Sequence, residues 1–153
     1  MKILAFIENQ WDCPEANTLF LQEHPKAWHA SVYLQIFGNS KTRLPLFENF
    51  GVDLCNQIIW ELITRQITAW PQADEGHMRG AIESEKPDVL LAFGERAKKA
   101  IRKIEPSGLV IFAPHPAARG PTTIPMLQLV ANDLRKIIST QSASVPLGSG
   151  TMA

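Results

Sequence analysis

The sequence predicts an α/β protein: a three-layer α/β/α fold around a central four-stranded parallel sheet. Short apolar runs alternate along the chain with segments of helical periodicity. The run Asp88 to Phe93 (DVLLAF) is apolar at nearly every position, as a strand buried on both faces must be. Strands alternating with helices imply right-handed crossovers, and hence a parallel sheet covered on both sides. The 153 residues suit a single domain with a real core. That domain is expected over 1–140, followed by a flexible, Gly/Ser-rich C-terminal tail over 141–153.

The elements follow in order. Lys2 to Ile7 (KILAFI) reads as a buried first strand, broken by the polar and turn residues Glu8 to Pro14. Val32, Tyr33, Ile36 and Phe37 recur at helical spacing within a helix from Trp28 to Phe37, which Gly38-Asn39-Ser40 ends. A loop with Arg43 and Pro45 follows. Val52 to Trp60 (VDLCNQIIW) reads as the second strand, with Asn56 in its middle. A helix from about Glu75 to Ser84 is closed by Pro87, because the residue before a proline avoids helical backbone angles. Asp88 to Phe93 is the third strand, and Gly94 turns directly into a helix from Glu95 to about Ile104. Leu109 to Ala113 (LVIFA) is the fourth strand, and Pro114 to Pro121 (PHPAARGP) a stiff loop. Thr123 caps the last helix, with Pro125 tolerated in its first turn and Leu127, Val130 and Leu134 on one apolar face.

Composition narrows the function classes. The 15 Lys and Arg balance 15 Asp and Glu, which argues against a generally basic nucleic-acid coat but leaves a local basic surface open. Cys13 and Cys55 are too few for a disulfide framework and lack zinc-ligand spacing, so they read as free thiols of a reducing compartment. No apolar run suits a secretory signal or a membrane span. The expectation is a cytoplasmic monomer with no membrane partner.

Ligand sites in parallel sheets lie beyond the carboxyl ends of the strands. Three segments qualify: Glu8 to Pro14, Asn56 onward, and Pro114 to Gly120. His115 stands out, because its two flanking prolines stiffen the backbone and remove two amide donors. Ala117 and Ala118 beyond it let another backbone approach closely. The alternative is a capping or core histidine in a rigid turn. Asn9 follows the first strand, where a side-chain amide orients a water or a ligand, and Glu8 and Asp12 add carboxylates able to act as a base. Turn formation is the competing explanation for Asn9 and Asp12. The first strand-to-helix loop holds no glycine, which speaks against a phosphate-cradling loop. No G-x-S-x-G elbow, H-E-x-x-H or C-x-x-C occurs. Arg96, Lys98, Lys99, Arg102 and Lys103 crowd one helix, either as a solvated face or as a phosphate contact.

Taken together, these segments resemble the uracil-DNA glycosylase superfamily, especially its mismatch-specific and single-strand-selective branches. His115-Pro116-Ala117-Ala118 is similar to the family's second motif, H-P-S-P or H-P-A-A. Pro87 to Ala97 (PDVLLAFGERA) resembles the strand and helix that precede it. Ile7-Glu8-Asn9-Gln10-Trp11 stands where the family has a G-I-N-P-G-like first motif and keeps only its asparagine. Phe20 stands for the family's stacking Phe, and His24-Pro25-Lys26-Ala27-Trp28 for its H-P-x-N-x-F-W stretch. The resemblance runs over roughly residues 3 to 138, in order and spacing.

It implies an enzyme that extrudes a nucleotide from the stack and reads the flipped base in a tight pocket, without metal or organic cofactor. On that reading Phe20 stacks on the base and Asn56 reads its edge. Asn9 positions the attacking water, and His115 donates to the base oxygen where negative charge develops. Arg119, with Ala117 and Ala118 beside it, contacts DNA next to the flipped site. Trp11 replaces a motif glycine that lets backbone approach the base, so it lines or obstructs the base pocket. The implied activity is monofunctional hydrolysis of the N-glycosidic bond of uracil or a related base in DNA, single- or double-stranded. The alternative is an inactive relative that binds nucleic acid or a protein partner.

Overall fold

Five-residue strands carry the architecture of this computed structural model, which describes residues 1–8, 32–33, 36–38, 40–65 and 72–144. They are β1 (Ile3–Ile7), β2 (Ile58–Leu62), β3 (Val89–Phe93) and β4 (Leu109–Ala113). They form one sheet in the order β2-β1-β3-β4. Every pairing is parallel, with Ile3 opposite both Ile58 and Val89, and Val89 opposite Leu109. β1 and β3 are buried along their whole length, which is why they read as unbroken apolar runs.

The pleat sends alternate residues to two cores. Ile3, Ala5, Ile7, Trp60, Leu62, Leu91 and Phe93 meet Leu46, Phe50 and Leu54 together with Leu127, Val130 and Leu134 on one face. Leu4, Phe6, Leu90 and Ala92 meet Met78, Ala97, Ala100 and Ile101 on the other. The helices of the first face are α1 (Ser40–Pro45), a π-helical turn (Leu46–Gly51), α2 (Val52–Gln57) and α5 (Thr123–Ser144). Those of the second are α3 (Glu75–Glu85) and α4 (Glu95–Ile104). The result is the expected three-layer α/β/α arrangement. Phe6, Phe50 and Phe93 are fully enclosed, and burial of each stabilises the fold by about 1.5–3 kcal/mol.

The second strand is shorter and later than its sequence suggests. Val52 to Gln57 is helical, and only Ile58 onward is strand. Leu54 and Cys55 are buried while Val52, Asp53, Asn56 and Gln57 are exposed, a grouping in pairs that one helix face satisfies and a strand's strict alternation does not. Gly51 starts the helix at φ +111, and a side chain there would strike the guanidinium of Arg135. That guanidinium bonds Phe50 O at 3.0 Å and Asp53 Oδ1 at 3.0 Å, tying α5 to α2. Residues 40–45, expected as loop, form α1, in which Arg43 Nη1 donates to Phe37 O at 3.0 Å. Residues 141–144, expected as the start of a tail, belong to α5, and residues 145–153 lie outside the described residues. Among the described residues no helix is long and apolar enough to cross a membrane.

Candidate functional site

β1 sends the chain to β2 on one side, and the chain later returns to β3 on the other. The gap between the carboxyl ends of β1 and β3 is therefore the topological switch point, where ligands of open parallel sheets bind. Glu8 follows β1, Gly94 follows β3, and His115 lies two residues beyond the end of β4. All three converge there.

His115 is 6% exposed. Its Nδ1 accepts the backbone N–H of Ala117 at 3.0 Å, and its Nε2 lies 2.8 Å from the carbonyl oxygen of Glu8. A nitrogen that accepts from an N–H carries no proton, so the proton sits on Nε2, which donates to Glu8 O. Burial depresses the His115 pKa, opposed by its bond to Glu8, so the ring is held as the neutral tautomer with a single N–H donor. The turn is closed by Ala118 N donating to His115 O at 2.9 Å. Pro114 and Pro116 stiffen the same stretch, which is why the chain can present an imidazole so rigidly.

Gly94 makes room for the ring. Its φ is +95, a conformation that a side chain strains, and an added Cβ would stand 3.4 Å from the Cβ of His115. Its N–H donates to Ala113 O at 2.9 Å, joining the ends of β3 and β4 beneath the imidazole.

Glu8 also contributes a carboxylate. Arg96 Nη1, in the first turn of α4, bonds Glu8 Oε1 at 3.0 Å. Partial burial raises the Glu8 pKa, and the charge of Arg96 opposes the rise without cancelling it. Glu8 thus offers its backbone oxygen to His115 and its carboxylate to Arg96 at one strand end. Titratable groups shifted by burial at such a place are candidates for acid–base chemistry. Cys55 is unsuited to nucleophilic chemistry, since burial and the neighbouring Asp53 push its thiol up to about 12. Among the described residues no three His, Cys, Asp or Glu side chains gather as a metal site.

The sequence-derived site is partly assembled. His115 and Ala117 meet in the crevice, and Ala118 and Arg119 are exposed on the turn beyond. Asn56 is not part of it. It is exposed on the last turn of α2, ahead of the first residue of β2, and so at the amino end of the sheet. The length of β2, roughly 15 Å at the usual strand rise, separates it from the carboxyl end. That end carries Ile63, Thr64 and Arg65 instead, with Thr64 buried. Asn9, Trp11 and Phe20 lie outside the described residues. The Glu8–Arg96 pair and Gly94 were not read from sequence as partners of His115. The signal for them was a glycine ending an apolar strand, followed two positions later by an arginine.

Two clefts lie away from this crevice. One of about 430 Å³ at the amino end of the sheet is lined by Ile82, Lys86, Leu90 and Leu109. Another of about 360 Å³ beside β2 is lined by Glu61, Arg65, His77 and Gly80. Neither is lined by His115.

Fold and crevice together define a class: an all-parallel, three-layer α/β protein with a buried neutral histidine and a paired carboxylate at its switch point. Beyond that class, no family model, no curated protein and no solved structure matches the chain.

Proposed function

We propose that the chain is a monofunctional DNA glycosylase-like protein, taking a flipped uracil or related base into the crevice between β1, β3 and β4. One observation carries the reading: His115 is held neutral by the Ala117 N–H, with its remaining donor aimed at a carbonyl oxygen 2.8 Å away. In this structure the carbonyl belongs to Glu8, and it stands in for the oxygen of a bound base. When the glycosidic C–N bond breaks, its electron pair passes to the base. A preorganised N–H in a water-poor site stabilises the anion that develops on the base oxygen. A neutral donor suits this role because it strengthens its bond as charge grows without first having to acquire a proton. Water completes the reaction by bonding to the sugar carbon, and the Glu8 carboxylate, steadied by Arg96, is the group placed to take its proton. The exposed turn with Arg119 would meet the DNA.

A second reading rests on the same atoms. Both ring nitrogens of His115 are engaged by backbone, so a chain in which Glu8 never yields its place would bind nucleic acid without cleaving it. Labelled oligonucleotides with uracil, single-stranded and opposite each base, followed by alkali, decide between them. Strand breaks that fall at least about 100-fold in His115→Ala are expected, the usual cost of losing such a donor. Unchanged breakage would remove His115 from the mechanism, and binding without breakage would establish the second reading.

A further inference from the structure

α4 leads away from the crevice with its apolar face on the sheet, and two of its basic residues reach a side chain of β4. Arg96 at its top is engaged by Glu8. Further along, Lys98 Nζ stands 5.5 Å and Arg102 Cζ 5.4 Å from the centre of the same ring, that of Phe112. Phe112 is half-buried on β4, which among the described residues pairs only with β3.

A staple holding α4 to the sheet would need a single cation on that ring. Two like charges at i and i+4 repel each other. The acidic groups nearby do little to offset this. Glu95 reaches Lys98 only at 4.0 Å and is 78% exposed, while Glu75 is taken by Lys103 at 3.9 Å. Arg102 meets no carboxylate among the described residues, and Lys99 is exposed beside it. The ring thus restrains two cationic heads, lowering the entropy lost when they bind an anion, with Lys98 only loosely paired to Glu95 and Arg102 meeting no carboxylate among the described residues.

We propose that Lys98 and Arg102, steadied on Phe112, form a track for the sugar–phosphate backbone of a nucleic-acid strand entering the crevice at His115. The partner's identity rests on the DNA reading of that crevice. From Arg96 to Arg102 the helix advances about 9 Å, so the row accompanies the strand over a short stretch next to the extruded base. Backbone contacts of this kind position the strand without reading its sequence.

The test is fluorescence anisotropy of the full chain with a labelled single-stranded DNA of mixed sequence lacking uracil, over a range of salt. Lys98→Gln/Arg102→Gln is expected to weaken binding about tenfold or more. It should also lower the slope of log affinity against log salt by about 1.4, the value for two phosphate contacts on a single strand. The charge-matched pair Lys86→Gln/Lys136→Gln, on other faces, should change affinity less than twofold. Phe112→Leu keeps both cations and the apolar bulk, so it should weaken binding two- to fivefold with an unchanged salt slope. Equal losses in the two double variants, no binding by the unaltered chain, or equal binding to polyglutamate would overturn the proposal. Tight strand binding without base release would sink the glycosylase reading alone. Base release from DNA that survives Lys98→Gln/Arg102→Gln with unaltered affinity would sink the track alone.

Discussion

Two histidines flank the sheet, and their surroundings differ in one partner. His115, past β4, has a carbonyl oxygen at Nε2 and a backbone N–H at Nδ1. His77, in the first turn of α3, has at Nε2 the carbonyl of Leu62 at 3.1 Å and the carboxylate of Glu61 at 3.4 Å. Glu61 Oε1 also accepts the N–H of Leu62 at 2.9 Å, and Asp74 caps α3 by accepting the N–H of His77 at 3.1 Å. A proton on Nδ1 of His115 would confront the Ala117 N–H, whereas His77 has the Glu61 carboxylate beside its Nε2. The first site fixes a neutral histidine between two backbone groups at the switch point, and the second straps α3 to β2. The residue type is shared, and the backbone around it decides the role.

The sharpest way to break this comparison is at the glycine beneath His115. Gly94→Ala forces a side chain into φ +95, a backbone conformation that residues with a Cβ rarely adopt, while the Cβ itself would find ordinary contact with His115. A loss of about 1–3 kcal/mol by urea unfolding is expected. An unchanged unfolding midpoint would mean that the backbone at Gly94 leaves φ +95 without cost.

The next effect is on pH. Because the folded pKa of His115 lies below its unfolded value of about 6.5, the unfolded chain binds the extra proton first on acidification. The stability this residue contributes is therefore full above pH 6.5 and is lost as pH falls through its folded pKa, no more steeply than about 1.4 kcal/mol per pH unit. Glu8 works in the opposite sense. Its raised pKa makes the folded state hold its proton longer, so its contribution is present below 4.5 and lost as pH rises through the folded value. Chemical denaturation between pH 7 and 5.5 should show a flatter dependence in His115→Asn than in the parent, and parallel curves would refute the assignment.

The smallest effects belong to the His77 side. His77→Gln retains a donor to Leu62 O, so about 1 kcal/mol of stability or less is at stake, and if the proposed base release occurs it should stay within twofold of the parent. Gly80, exposed in the middle of α3 with nothing near its missing Cβ, offers the opposite sign from Gly94. Gly80→Ala should stabilise by about 0.5–1 kcal/mol, read as a rise in Tm. If the proposed activity is found, a large loss of it in either variant would erase the distinction drawn between the two histidines.

Much of the fold was legible because local chemistry announces it. β1, β3 and β4 are apolar runs bounded by turn residues, and α3 and α4 are bounded by a capping aspartate, a proline and a glycine. Asn56 shows where this fails. Val52 to Gln57 carries apolar residues at 52, 54 and 55 and runs directly into a true strand, so periodicity over so few residues cannot separate the two. The error moved one side chain to the opposite end of the sheet. His115 was legible from its proline frame, yet neither its tautomer nor its partner was.

By itself the sequence determined the layers, the rigid loop bearing His115 and the basic helix, since each depends on residues close together in the chain. Only the tertiary structure decided the site. Glu8 and Arg96 are 88 residues apart, and Glu8 and His115 are 107 apart. Their meeting depends on β1 lying next to β3 and β3 next to β4, in parallel and in register. That order is set by burying two apolar faces at once, a property of the whole sheet that no local segment contains.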